Sequence, residues 1–157
     1  LNGERAPFYS PDARAGFIGI SPHTTRAELQ RAVFEGLAFA IVDALQGYPQ
    51  GGELYLTGGG AASATWLQII ADCTGRTVVS SAFNELSARG AAILAARSVA
   101  ALAETPPLAQ TRYQPRPQAH ARYAALYPVY RLLREQMLPV WQARQAALQR
   151  LSQEVQP

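Results

Sequence analysis

The run Glu53-Leu54-Tyr55-Leu56-Thr57, followed at once by Gly58-Gly59-Gly60-Ala61-Ala62-Ser63, constrains this chain more than any other segment. Its first five residues alternate and favour extended backbone, so they read as a strand. Trp66, Leu67, Ile69, Ile70 and Cys73 then mark a helix that Gly75 stops. Between the two, glycines let the backbone turn sharply and expose its amides, and the helix start adds partial positive charge. Small residues there also let a flat ring or a phosphate approach the main chain. Such a turn suits a nucleotide or another anion, and it equally suits a tight connection that binds nothing. No Lys-Ser or Lys-Thr follows, so it is not a Walker A loop; GxGxxG spacing would need glycine at position 63, where Ser63 stands.

The flanking chain repeats the pattern. Thr77-Val78-Val79-Ser80 reads as a second strand, and Asn84 could cap a third helix built on Gly90-Ala91-Ala92-Ile93-Leu94-Ala95-Ala96, whose small residues would allow close packing on a sheet. Strand, helix, strand, helix is the order of an α/β layer on a mainly parallel sheet. Upstream, residues 1–15 are turn-rich, and Phe17-Ile18-Gly19-Ile20 is a short strand candidate. Thr25 and Glu28 have capping-box spacing. From there Leu29, Val33, Leu37, Ile41 and Leu45 recur every four residues, which predicts an amphipathic helix ending near Gly47.

The domain reading is a core over residues 1–105, a Pro-rich linker or surface excursion over 106–118, and a helical extension over 119–157. In that extension Tyr123, Leu126, Tyr127, Tyr130, Leu133, Met137 and Trp141 lie along one side, while Pro128 and Pro139 should start, kink or break it. A chain of 157 residues fits one domain and can bury a real core. The charge of +3 is spread out. Arg112, Arg116, Arg122, Arg131, Arg134, Arg144 and Arg150 make the last third the most basic, but interleaved aromatics of a single-strand groove are absent, so a solvated face is the reading. Cys73 is alone, which leaves no intrachain disulfide and fits a reducing cytoplasm. No apolar run reaches the roughly 20 residues of a membrane span, and no signal peptide is visible. The chain opens at Leu1 inside what reads as a motif, so a fragment is expected.

The blocks around the turn carry a resemblance. Gly3-Glu4-Arg5-Ala6-Pro7, Pro11-Asp12-Ala13-Arg14 and Gly16-Phe17-Ile18-Gly19-Ile20 come first, then Glu28 through Gly36. Thr57-Gly58-Gly59-Gly60, Trp66-Leu67-Gln68, Ala71-Asp72-Cys73-Thr74-Gly75 and Glu85 with Gly90-Ala91-Ala92 follow in order. Together they resemble the C-terminal domain of the FGGY carbohydrate kinases. The resemblance implies an α/β, ribonuclease H-like (actin-like ATPase) C-terminal domain, here incomplete. It implies a parent enzyme that phosphorylates a sugar or polyol, xylulose foremost, with ATP and with Mg2+ held through the nucleotide phosphates. By position, Gly58 and Gly59 would lie against ATP or ADP, with Gly60 and Ala61 beside them and Ser63 near the base. The sugar would be held by a missing N-terminal domain, which also carries the family's catalytic aspartate. Arg89 stands where relatives have an aliphatic residue, and beyond Pro106 the resemblance thins.

Other groups read as structural. Asp12 sits in a turn, Asp43 faces out of its helix, and Asp72 lies near a helix end. Glu4 and Arg5 read as a local ion pair, Glu35 as a hydrogen-bond partner of the first helix, and Tyr123, Tyr127 and Tyr130 as packing. His23 and His120 lack metal-ligand spacing. The expectation is a nucleotide cradle without kinase activity of its own, with no nucleic-acid or membrane partner. The alternatives are a stand-alone nucleotide-binding or interaction module, and a homo-oligomer joined through open sheet edges.

Overall fold

A computed structural model describes residues 3–49, 51–81, 85–99 and 108–154. The chain divides into two compact units: Leu1–Tyr48 with Ala121–Pro157, and Pro49–His120. The elements in chain order are α1 (Arg26–Ala44), β1 (Leu54–Leu56), a 3-10 turn (Gly59–Ala62), α2 (Ala64–Thr74), β2 (Val78–Ser81), α3 (Leu86–Val99), β3 (Gln110–Tyr113) and α4 (Pro117–Glu154).

In the first unit, α1 starts where its capping box predicts. The Glu28 amide donates to Thr25 Oγ1 at 3.2 Å, and the Thr25 amide donates to Glu28 Oε2 at 2.7 Å. Two otherwise unpaired amides are satisfied reciprocally. The buried residues of α1 are Ala38 and Phe39, whereas Val33 and Leu37 stay 49% exposed. The physical reason is the helical repeat: a strict four-residue series drifts around the axis by about 40° per step, so its members do not share one stripe. Phe39 packs edge-on against Tyr123, with ring centroids 5.9 Å apart, and lies 5.3 Å from Tyr130. The tyrosine row of α4 is therefore packing, as its spacing indicates. Phe17–Ile20 forms no strand. No described residue pairs with it, and Phe17, Ile18 and Ile20 remain exposed.

Helix α4 continues without a break past Pro128 and Pro139. Each ring removes an N–H and so strips the carbonyl four residues earlier, on Ala124 and Glu135, of its helical partner. Both prolines and both of those residues are exposed, where water can take the carbonyl.

In the second unit, β1 and β2 are parallel with Leu54 opposite Val78 and Leu56 opposite Ser80. β3 runs antiparallel to β2, with Val78 opposite Tyr113 and Ser81 opposite Gln110. The sheet order is β1-β2-β3, so one of its two pairings is parallel. β3 falls inside the stretch that reads as a Pro-rich linker. α2 makes the crossover that a parallel pair requires. Its Leu67, Ile69, Ile70, Ala71 and Cys73 are buried, as are Val78 and Val79 of β2, and they form the core. Gly75, at φ +68°, closes α2 with its amide on the Ala71 carbonyl at 2.9 Å. No residue of α3 is buried, so the close packing expected of Gly90-Ala91-Ala92 is not made among the described residues. Asn84, its expected cap, lies outside them. No described helix is long and apolar enough to cross a membrane.

Candidate functional site

Gly58, Gly59, Gly60, Ala61 and Ser63 fold together into one turn between β1 and α2. Gly58 adopts φ +85° and ψ −174°, a conformation that side chains of L residues rarely reach. Its carbonyl accepts the Ala61 amide at 3.0 Å, and the Gly60 carbonyl accepts the Ser63 amide at 3.4 Å. Ser63 is the N-cap of α2, its Oγ accepting the Trp66 amide at 3.3 Å. Gly59 and Gly60 are exposed. A β-carbon added at Gly58 or Gly59 would meet no atom of the described residues within 4 Å. The turn thus offers main chain, small side chains and a helix start to whatever approaches it. It offers no acid or base.

The carboxylates serve elsewhere. Asp72 is fully buried in α2. Its Oδ1 accepts the Arg116 amide at 2.8 Å and Gln68 Nε2 at 3.0 Å, and its Oδ2 accepts Arg116 Nε at 3.0 Å. Burial pushes this carboxyl up, but the hydrogen bonds from Arg116 and Gln68 outweigh it and hold the group below the ordinary carboxylate range. His120 Nδ1 lies 2.9 Å from the Asp72 carbonyl oxygen, so this histidine is a packing partner of α2.

Asp43 does not face out of its helix. Its side chain is 6% exposed; Tyr127 Oη donates to its Oδ1 at 2.6 Å, and Arg134 pairs with its Oδ2. The reason is α4, which supplies both partners from far along the chain. Glu35 Oε1 accepts Tyr123 Oη at 2.7 Å and Arg31 Nε at 2.7 Å, a hydrogen-bond role as its position on α1 suggests. Burial pushes the Tyr123 phenol up to about 12. The Glu4 carboxylate takes the main-chain amides of Arg5, at 2.9 Å, and Ala6 rather than the Arg5 guanidinium. Several arginines read as a solvated face are in fact paired: Arg112 with Glu53, Arg116 with Asp72, and Arg134 with Asp43. Among the described residues no group of His, Cys, Asp and Glu could hold a metal ion.

One residue beside the turn escapes a reading by apolar pattern. Trp66 counts in sequence only as a member of the helical face, yet its indole stands beside Gly60, 3.6 Å from where a β-carbon there would be. Its place three residues after the cap Ser63 is the signal that could have found it.

Comparison with known proteins identifies the scaffold. The model of the FGGY family of carbohydrate kinases, C-terminal domain, matches residues 1–99. An erythritol kinase of Brucella abortus is 36% identical over 149 residues, covering 88% of this chain and 28% of that protein. A xylulose kinase of Escherichia coli is 33% identical over 151 residues, covering 89% and 31%. The crystal structure of a ligand-bound xylulose kinase from Lactobacillus acidophilus superposes with a TM-score of 0.77 at 26% identity, covering 87% of this chain and 30% of that one. The family match ends at residue 99, as the thinning beyond Pro106 leads one to expect, while the alignment to the erythritol kinase, over 88% of 157 residues, runs on past Pro106. The chain spans under a third of the length of each of these relatives. Its described part is a partial α/β domain of the ribonuclease H-like, actin-like ATPase class. By the reach of the family match and the agreement of fold, this chain belongs to the FGGY family of carbohydrate kinases and represents its C-terminal domain.

Proposed function

We propose that this chain is the nucleotide-binding portion of an ATP-dependent kinase that phosphorylates a pentulose or related polyol, with xylulose the first candidate. The observation that carries the reading is Gly59. Neither a left-handed backbone nor any contact within 4 Å among the described residues requires glycine there. A close approach from outside the chain gives it a reason. A nucleotide fits such a place: its phosphates suit exposed amides near a helix start, and its rings suit small side chains. The residues that would hold ATP or ADP are Gly58, Gly59, Gly60, Ala61 and Ser63. Mg2+ would come with the phosphates and neutralise their charge, since the described residues provide no carboxylate cluster for it. Phosphoryl transfer depends on positioning and charge stabilisation, and this chain would supply the positioning of the nucleotide alone. Xylulose is favoured because xylulose kinases of Staphylococcus epidermidis and Escherichia coli are among the relatives, while erythritol and glycerol kinases widen the class.

Calorimetric titration with MgADP tests the reading. The 157-residue chain should bind weakly, and Gly59→Val should abolish binding while the circular dichroism spectrum stays the same. Equal binding by wild type and G59V would show that the turn is not the site. A module that binds nucleotide without catalysis is the second reading, favoured by the lack of any acidic side chain in the turn itself. Xylulose-dependent ADP production by this chain alone would remove it.

A further inference from the structure

A β-carbon placed on Gly60 would stand 3.6 Å from Trp66 Nε1 and 3.7 Å from its Cδ1, ordinary van der Waals contact. The same residue reaches the turn through its main chain, its amide donating to Ser63 Oγ at 3.3 Å. Ser63 in turn donates its amide to the Gly60 carbonyl at 3.4 Å. One tryptophan therefore flanks both ends of the segment Gly60–Ser63, its ring one carbon's width from Gly60 and its amide bonded to Ser63. The ring is carried on a fixed support, because its neighbour Leu67 is fully buried in the core. The β-carbon positions of Gly58 and Gly59 are open.

We infer that Trp66 is a positioning residue for the nucleotide: its indole backs Gly60 and holds the glycine turn in the shape that receives the ligand. The inference rests on the nucleotide reading above and deepens it. A flexible triglycine has to be ordered when it binds, and ordering it beforehand raises affinity without a new contact to the ligand. An aromatic plate behind the turn supplies that order.

The test uses the full chain and MgADP. Trp66→Ala should weaken ADP binding about tenfold, and Trp66→Phe, which keeps a flat ring, should restore most of it. The chain has two tryptophans, so Trp141→Phe leaves Trp66 as the sole indole emitter. In that variant, saturating ADP should shift the Trp66 emission. If wild type binds ADP and folded W66A binds it equally, the inference is overturned while the nucleotide reading stands. If W66A does not fold, the emission decides: ADP bound without any change at Trp66 overturns the inference. No ADP binding by wild type overturns the nucleotide reading itself, and this inference with it.

Discussion

Arg116 holds the buried carboxylate of Asp72 through main chain and side chain at once, its amide on Oδ1 at 2.8 Å and its Nη2 on Oδ2 at 2.5 Å. The grip ties the segment between β3 and α4 to the middle of the second unit. It is lopsided, because the Asp72 side chain is 0% exposed and that of Arg116 is 60% exposed. Removing Asp72 strands an amide and an amide side chain inside, and removing the Arg116 side chain takes both of its donors from Oδ2 of the buried carboxylate. Asp72→Ala and Arg116→Ala should therefore each cost about 3 kcal/mol in urea unfolding. A loss of only about 1 kcal/mol for Arg116→Ala would show that water replaces the guanidinium at the carboxylate.

The same carboxylate makes the chain acid-sensitive. Its folded pKa lies below the ordinary value, so the unfolded state binds the proton more tightly. The stability it contributes is complete above the unfolded pKa of about 3.9 and is lost as pH falls through the lower folded value. The urea midpoint should drop through that window in wild type. In Asp72→Asn that part of the drop should vanish.

At the alkaline end the sign reverses. The Tyr123 phenol, pushed up to about 12 by burial, keeps its proton in the folded chain after the unfolded chain has lost it. Its contribution is whole below the ordinary tyrosine pKa of about 10 and disappears as pH rises toward the folded value. Phenolate absorbance should show Tyr123→Phe lacking the last tyrosine to titrate before unfolding.

Gly75 and His120 predict a separable pair of effects. A β-carbon at Gly75 would stand 2.6 Å from His120 Cε1, on a residue whose φ is +68°. Gly75→Ala should lose about 1 kcal/mol to the left-handed backbone plus the cost of displacing the imidazole. His120→Ala in the same chain should recover the second part and leave the first, as read by thermal melting.

On α1, Asp43 takes both Tyr127 and Arg134, and the Arg134 guanidinium also stands 5.3 Å over the Phe8 ring. Arg134→Ala should cost about 3 kcal/mol and Tyr127→Phe about 1 kcal/mol. Because both act on one carboxylate, the double variant should differ from the sum of the singles. Strict additivity in a double-mutant cycle would deny the shared site.

What sequence reveals here is what neighbours in the chain decide. The capping box of Thr25 and Glu28, the stop at Gly75 and the turn from Gly58 to Ser63 are local, and each is legible from residue types alone. β3 is not, since Thr111 and Tyr113 favour a strand but stand among Pro106, Pro107, Pro115 and Pro117, and the segment becomes a strand because β2 offers it an edge. Phe17–Ile20 shows the converse: it has strand character and no described partner. Asp43 looks like a surface residue until α4 brings Tyr127 and Arg134 to it. The glycine turn proposed as the site is legible as a turn for the same reason as the caps, being a contiguous run. The nearness of Trp66 to the turn is hidden because an aromatic on an apolar helix face looks alike whether it fills a core or stands beside a loop.

On the nucleotide reading proposed above, the open space around Gly59 leaves the ligand as the reason for glycine at that position. Gly58 and Gly75 answer to backbone geometry, so any copy of this domain that still folds has reason to keep them. Position 59 answers to nothing in the described fold. On that reading, copies of this domain released from nucleotide binding should drift at 59 while keeping 58 and 75. The three glycines thus separate inheritance of a fold from inheritance of a trade.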